Sequence, residues 1–252
     1  MSQDAGRETT VMSSMSVGQR PTERSSMFSD AVEPHHHRVD ADARDDIYVI
    51  GDVHGCLTEL EALIELIDPS TDDLLIFVGD LVRKGPNSRG VIERVRDAPN
   101  MLSIRGNNEE KLLTGEKTLP ELDDDHLRYL RSLPLVISWG ENIVVHGGIV
   151  PEQPLTEHTP TELLTTRATP DGDGYDGPFW FERYDRSPQV FFGHTVLEAP
   201  VDTDGVVGLD TGCVYGGYLT AYDTARDRFL RIEARETYRD RSEDSIVDPE
   251  AL

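Results

Sequence analysis

The sequence predicts an α/β fold, a layered β-sandwich flanked by helices. Two observations carry this. Short runs of Ile, Val, Leu and Phe alternate with stretches of helical periodicity in the first half, and strand-like runs dominate the second. Five short blocks then follow such runs: Gly51-Asp52-Val53-His54-Gly55, Gly79-Asp80, Gly106-Asn107, His146-Gly147-Gly148 and Gly193-His194-Thr195. Each places an Asp, Asn or His just past a buried strand, where open α/β sheets bind their ligands.

Ile47–Ile50 is a four-residue apolar run, too short for a helix, and is predicted as the first strand. Leu57, Leu60, Ile64 and Ile67 recur at helical spacing and predict a helix behind it. Leu74–Val78 predicts the second strand. The turn residues Gly85-Pro86-Asn87-Ser88 come next, and a cap at Asn87 or Ser88 opens a helix marked by Val91, Ile92 and Val95. Met101–Ile104 predicts the third strand, with a helix from about Asn108 to Leu113. A mixed segment separates these from Leu135–Ser138 and Ile143–Val145, which read as a hairpin-like pair. Val190–Phe192, Val206–Leu209 and Leu219–Tyr222 predict the later strands. Residues 1–44 lack apolar periodicity and are expected to be a disordered tail, with His35-His36-His37 an ornament within it. Residues 45–234 form the folded domain, and 235–252 are expected to be a charged C-terminal tail.

Composition narrows the function. The 252 residues carry 48 Asp and Glu against 24 Lys and Arg, a net charge of -24. Such a surface repels nucleic acid and anionic membranes, so neither is expected as a partner. Only Lys84, Lys111 and Lys117 are lysines. An acid-rich, lysine-poor surface resembles that of halophilic proteins, in which salt screens self-repulsion. Cys56 and Cys213 are too few for a disulfide framework and are expected to be buried thiols, as suits a reducing cytoplasm. There is no apolar run of membrane-spanning length and no apolar signal core, so a cytoplasmic location is expected.

The five blocks supply hard and borderline ligands for divalent cations. Asp52, His54 and Asp80 can serve one metal; Asp80, Asn107, His146 and His194 can serve a second, with Asp80 shared. Two metals about 3.5–4 Å apart lower the pKa of a water between them and grip phosphoryl oxygens during in-line attack. No Gly-x-Ser-x-Gly block points to acyl transfer.

The series GDVHG, GDLVRKGP, RGNNE, VHGG and FGHT resembles the calcineurin-like metallophosphoesterases, in the branch of Ser/Thr protein phosphatases and diadenosine tetraphosphatases. LDTGCVYGGYLTA, from Leu209 to Ala221, resembles bacterial members of that branch. The resemblance spans residues 47–223 and implies the metallophosphoesterase fold and the ligand set above. It also implies attack by a hydroxide held between two metals, commonly Mn²⁺ and sometimes Fe, Zn or Ni. Lys84 matches the family's phosphate-binding position in the second block, where protein phosphatases carry Arg. Arg167 and Arg183 are candidates for a second phosphate-binding Arg, with Arg167 favoured.

Two departures bear on the substrate. Protein phosphatases have Asn-His-Glu in the third block; here it is Asn107-Asn108-Glu109. They also carry an acidic residue where this chain has Arg83. Asn108 and Arg83 thus stand at the catalytic acid positions, and Asn cannot act as a general acid. Leaving groups that depart as stable anions need no proton, so dinucleoside polyphosphates are the expected substrates. A Ser/Thr protein phosphatase acting on phosphoproteins is the alternative, and a phosphodiesterase or a weakened phosphate-binding protein is a further one. His126 and His158 are spare proton donors that nothing in the sequence brings to the site.

Overall fold

A computed structural model describes Met1, residues 26–170 and residues 174–252. The strands run β1 (His36–Arg38), β2 (Ile47–Ile50), β3 (Leu74–Phe77), β4 (Met101–Ser103), β5 (Val136–Trp139), β6 (Asn142–Val144), β7 (Gln189–Phe192), β8 (Val201–Asp202), β9 (Val206–Gly208), β10 (Tyr218–Asp223) and β11 (Arg228–Glu233). The helices are α1 (Leu57–Ile67), α2 (Ser88–Arg96), α3 (Asn107–Leu113), α4 (Asp124–Ser132) and α5 (Pro160–Thr165).

Two sheets form, ordered β11-β10-β2-β3-β4 and β1-β5-β6-β7-β9-β8. The alternation of side chains along each strand decides what lies between them. Ile47 and Val49 of β2, Leu74 and Ile76 of β3, Val144 of β6, Phe191 of β7 and Val207 of β9 meet in one inter-sheet core. The opposite faces are buried too: Tyr48, Ile50, Leu75 and Phe77 pack against Leu60, Leu63 and Ile64 of α1 and Val91 and Val95 of α2. Both faces covered is why these strands read as unbroken apolar runs rather than alternating ones. β2, β3 and β4 pair in parallel, as do β6, β7 and β9, so within each trio the C-terminal ends point the same way.

The α/β layered sandwich is as expected, and the Asn87 side chain caps α2 by accepting from Gly90 N–H at 2.9 Å. Residues 2–25 of the expected N-terminal tail lie outside the described residues. The rest of it is not a tail. Phe28 and Val32 are fully buried against Val136, Ile143 and Trp180. β1 adds in parallel to β5, using the histidine run itself, with His36 Nε2 and Ser138 Oγ 2.7 Å apart. Three residues of backbone pairing and two buried side chains were enough to order a stretch with no periodicity to announce it. The expected C-terminal tail is corrected likewise. Val247 is buried, its N–H donates to the Val196 carbonyl at 2.8 Å and its carbonyl accepts from Glu198 N–H at 2.8 Å. Cys56 and Cys213 are free and buried, as expected. No helix among the described residues is long and apolar enough to cross a membrane.

Candidate functional site

Asp52 stands two residues beyond β2, Asp80 three beyond β3 and Asn107 four beyond β4. His146 and His194 each stand two residues beyond β6 and β7 of the other sheet. The facing strand ends therefore bring all five blocks to one edge of the sandwich. Ligand atoms of Asp52, His54 and Asp80 lie within 4.8 Å of one another. His146 Nε2 lies 3.5 Å from Asp80 Oδ1 and 3.2 Å from Asn107 Oδ1, and the His146 and His194 rings are 5.0 Å apart.

Both central histidines have their tautomer set by a backbone carbonyl. His54 Nδ1 lies 3.2 Å from the Val82 carbonyl, and His146 Nδ1 lies 2.8 Å from the Val78 carbonyl. A carbonyl can only accept, so each Nδ1 carries a hydrogen, which leaves each Nε2, facing Asp80, as the position a metal would take. That donor set fits divalent metals: oxygen from Asp52, Asp80 and Asn107, and nitrogen from His54 and His146. Lys84 Nζ donates to His54 Nε2 at 2.7 Å. Burial, with the Lys84 charge adding, pushes His54 down to about 3. His54 is therefore neutral at pH 7, and its 3.5 Å approach to Asp80 is not an ion pair. Burial, with Asp210 and Asp80 adding, pushes the Asp52 carboxyl up. Burial also raises Asp80, but His146, His54 and Lys84 together outweigh it and hold that carboxyl below the usual range.

The backbone is strained where the side chains converge. His54, Asp80, Arg83, Lys84 and His194 all have positive φ, between 49° and 70°, and make up five of seven such non-glycine residues among those described. This region costs a side-chain-bearing residue about 1–3 kcal/mol and clusters at functional sites. Neighbouring glycines make room. A Cβ on Gly193 would stand 2.0 Å from Asp52 Oδ1, and one on Gly106 would stand 2.3 Å from Asp80 Oδ1.

Asn108 does not stand alone as an empty acid position. Its N–H donates to Asp80 Oδ1 at 2.8 Å, its amide NH₂ donates to Asp80 Oδ2, and its amide oxygen accepts from the Arg83 guanidinium. It therefore couples Asp80 to Arg83. Lys84, Arg83 and Arg167 line one cavity of about 350 Å³ with Asp80, Asn107 and His194. Arg167 lies over the Tyr175 ring at 4.6 Å and donates to the His194 carbonyl at 3.3 Å. Arg183 does not join them. It pairs with Glu152 at 2.9 Å on the surface, just past the short turn Trp180–Glu182 in which Trp180 and Phe181 are buried. His126 is used in capping α4, beside Asp123, and His158 accepts from Val150 N–H at 2.9 Å. Neither lines the cavity.

Two buried carboxylates beside the candidate ligands carry no assignment from the sequence. Glu109 is fully buried and accepts from Asp80, Val82 and Gly106 N–H at 2.9, 3.2 and 2.7 Å. It ties the second block to the third. Burial, with Asp80 adding, pushes it up to about 7. Asp210 stands two residues beyond β9 and accepts from Gly212 N–H at 3.1 Å, and burial raises its carboxyl. Its signal was present: Asp210 follows an apolar run as Asp52 and Asp80 do.

With this geometry the relatives are informative. Residues 46–233 match the model for calcineurin-like phosphoesterases. The asymmetrical bis(5'-nucleosyl)-tetraphosphatase PrpE of Oceanobacillus iheyensis is 28% identical over 235 residues, covering 76% of this chain and 94% of that one. The symmetrical bis(5'-nucleosyl)-tetraphosphatase of Ralstonia nicotianae is 29% identical over 249 residues, covering 69% and 87%. A solved structure of a proposed diadenosine tetraphosphatase superposes with a TM-score of 0.71 at 28% identity, covering 79% of this chain and 97% of the other. The chain belongs to the calcineurin-like phosphoesterase family and is a metal-dependent hydrolase.

Proposed function

We propose that the chain hydrolyses dinucleoside polyphosphates at a phosphoanhydride bond. Asp52, His54 and Asp80 would hold one divalent metal, and Asp80, Asn107, His146 and His194 a second. Mn²⁺ is the first choice and Fe, Zn or Ni the substitutes, since the donor set mixes imidazole with carboxylate and amide oxygen. Bound there, the pair would supply a water of lowered pKa and electrophilic stabilisation of the phosphoryl oxygens. The chain's own residues do the rest. Lys84 and Arg167 bind phosphoryl oxygens, Lys84 as a point charge and Arg167 as a fork. Arg83, held by the Asn108 amide, adds charge on the same side. Asn108 fixes the Asp80 carboxylate and donates no proton to a leaving group.

The observation that carries this reading is that Asp80–Asn108–Arg83 chain of hydrogen bonds. An acid position occupied by an amide suits a nucleotide leaving group, which departs as an anion, and not a serine alkoxide. The names of the relatives from Oceanobacillus iheyensis and Ralstonia nicotianae support the same substrate class. The acid-rich, lysine-poor composition supports a cytoplasmic enzyme working in high salt.

The test compares diadenosine tetraphosphate with a phosphothreonine peptide, with Mn²⁺ in molar KCl. The dinucleotide is expected to turn over faster. Faster release of phosphate from the peptide would make this a protein phosphatase and refute the proton argument.

A further inference from the structure

The match to the family ends at residue 233, yet the segment beyond it crosses the site. The Arg235 N–H and the Tyr238 hydroxyl donate to Oε1 of the buried Glu59 on α1, at 3.0 and 2.8 Å. The Arg239 N–H donates to the Val214 carbonyl at 3.0 Å, and Val247 is tied to Val196 beyond β7 of the other sheet. Between these anchors, Arg239 and Arg241 line the same cavity as Asp80 and His194. Arg241 is held in place. Its Nη2 donates to the Tyr175 hydroxyl at 2.6 Å and its Nε to the Ser245 carbonyl at 2.8 Å. Its guanidinium lies over the rings of Tyr215 at 4.7 Å and Tyr175 at 5.2 Å.

The charge balance of this cavity opposes that of the chain. Acids outnumber bases 48 to 24 overall, yet among the described residues six cations line the cavity against Asp80 and Asp240, and two of the three lysines are among them. Arg83, Lys84, Lys111, Arg239 and Arg241 have no carboxylate within 4.0 Å among the described residues. Cations gathered in excess of the carboxylates beside them repel, and that cost falls when an anion arrives. One phosphoryl group beside Lys84 and Arg167 would not occupy so many donors. We propose that Arg239, Arg241 and Lys111 form a distal anion subsite, which takes the outer phosphates of an oligophosphate chain whose reacting phosphate lies beside Asp80 and Asn107. The subsite rests on the substrate reading above for its biological ligand, but its chemistry can be measured without it.

The experiment uses the full chain with Mn²⁺ buffered at a fixed free concentration and an aryl phosphate as reporter. Inhibition constants are measured for inorganic tripolyphosphate and for orthophosphate. The wild type is expected to bind tripolyphosphate at least ten-fold tighter. In Arg239→Gln/Arg241→Gln the preference should fall by about ten-fold or more, the scale of charge-assisted hydrogen bonds. Arg239 is exposed, so Arg239→Gln alone tests the charge without disturbing packing, and Arg239→Lys should retain most of the preference. Removing two exposed charges that do not line the cavity, Arg89→Gln/Arg128→Gln, should leave the preference as in wild type. A wild type that binds the two anions equally would overturn the subsite, as would a double variant within two-fold of wild type. The same holds if Arg239→Lys loses as much as Arg239→Gln. If the peptide is the better substrate while the tripolyphosphate preference holds, the substrate reading fails and the subsite stands.

Discussion

Glu109 offers a quantitative test of how the strained loops are held. Its side chain is fully buried, with Oε2 accepting from Asp80 and Gly106 N–H and Oε1 from Val82 N–H. Glu109→Ala would leave three buried N–H groups without an acceptor, each costing about 1–3 kcal/mol. Water entering the vacated space recovers part of this, so a total loss of about 3–6 kcal/mol is expected. Glu109→Gln is milder. Its single amide oxygen can keep the bonds to Asp80 and Gly106, while its NH₂ meets the Val82 N–H and costs about 1–3 kcal/mol. Because Asp80, Arg83 and Lys84 sit in left-handed backbone, loss of this clamp also lets the second block relax away from the metal site. The metal concentration for half-maximal activity should therefore rise about 10–100-fold, the usual scale for an outer partner of metal ligands. Urea unfolding of chelated protein measures the first effect and Mn²⁺ titration of activity the second. Alanine and glutamine variants of equal stability, or an alanine variant within 1 kcal/mol of wild type, would refute the clamp.

Other consequences are as specific. Asn108→His with Arg83→Asp should raise phosphoserine hydrolysis relative to diadenosine tetraphosphate hydrolysis; an unchanged ratio removes the proton argument. Phe28→Ala should cost about 3–4 kcal/mol in urea unfolding, since Phe28 is buried against the β5–β6 layer, whereas a change under 1 kcal/mol would mean that residues 26–38 do not dock. Asp223 is buried and accepts from Arg226 and Arg228 at 3.1 and 3.2 Å. Burial raises its carboxyl, but the bonds from Arg226 and Arg228 together prevail and hold it below its ordinary value. Its stabilisation is thus present above the unfolded carboxyl range near pH 4 and lost as pH falls through the folded value. Asp223→Asn should lower stability at pH 7 by about 2 kcal/mol and flatten the acid limb of the stability curve; an unaltered acid limb would contradict this.

The central architecture was legible because burial on both faces writes itself as short apolar runs. β2, β3, β7 and β9 and the residues after them could be read at that level. β1 and β8 could not: two or three residues of pairing leave no period to detect, and β1 owes its place to backbone bonds with β5. α4 was hidden because only His126 and Leu130 of its nine residues are buried. At the site, residue types and spacing identified what can hold metal. They favoured Arg167 over Arg183 without fixing its place, since that depends on which loop folds back toward His194. Nor could they find Glu109, whose three acceptor bonds are to backbone groups that carry no sequence signal.

Counting bound metal is the most direct test of a two-metal centre built around Asp80. Metal-free protein dialysed against Mn²⁺ would be analysed for bound metal per chain, alongside Asp80→Asn, with hydrolysis measured on both. Two ions per chain are expected in the wild type, with loss of metal and of about 10²-fold or more in rate in the variant. A wild type binding one ion or none, or an Asp80→Asn variant that keeps its metal and its rate, would contradict the two-metal centre.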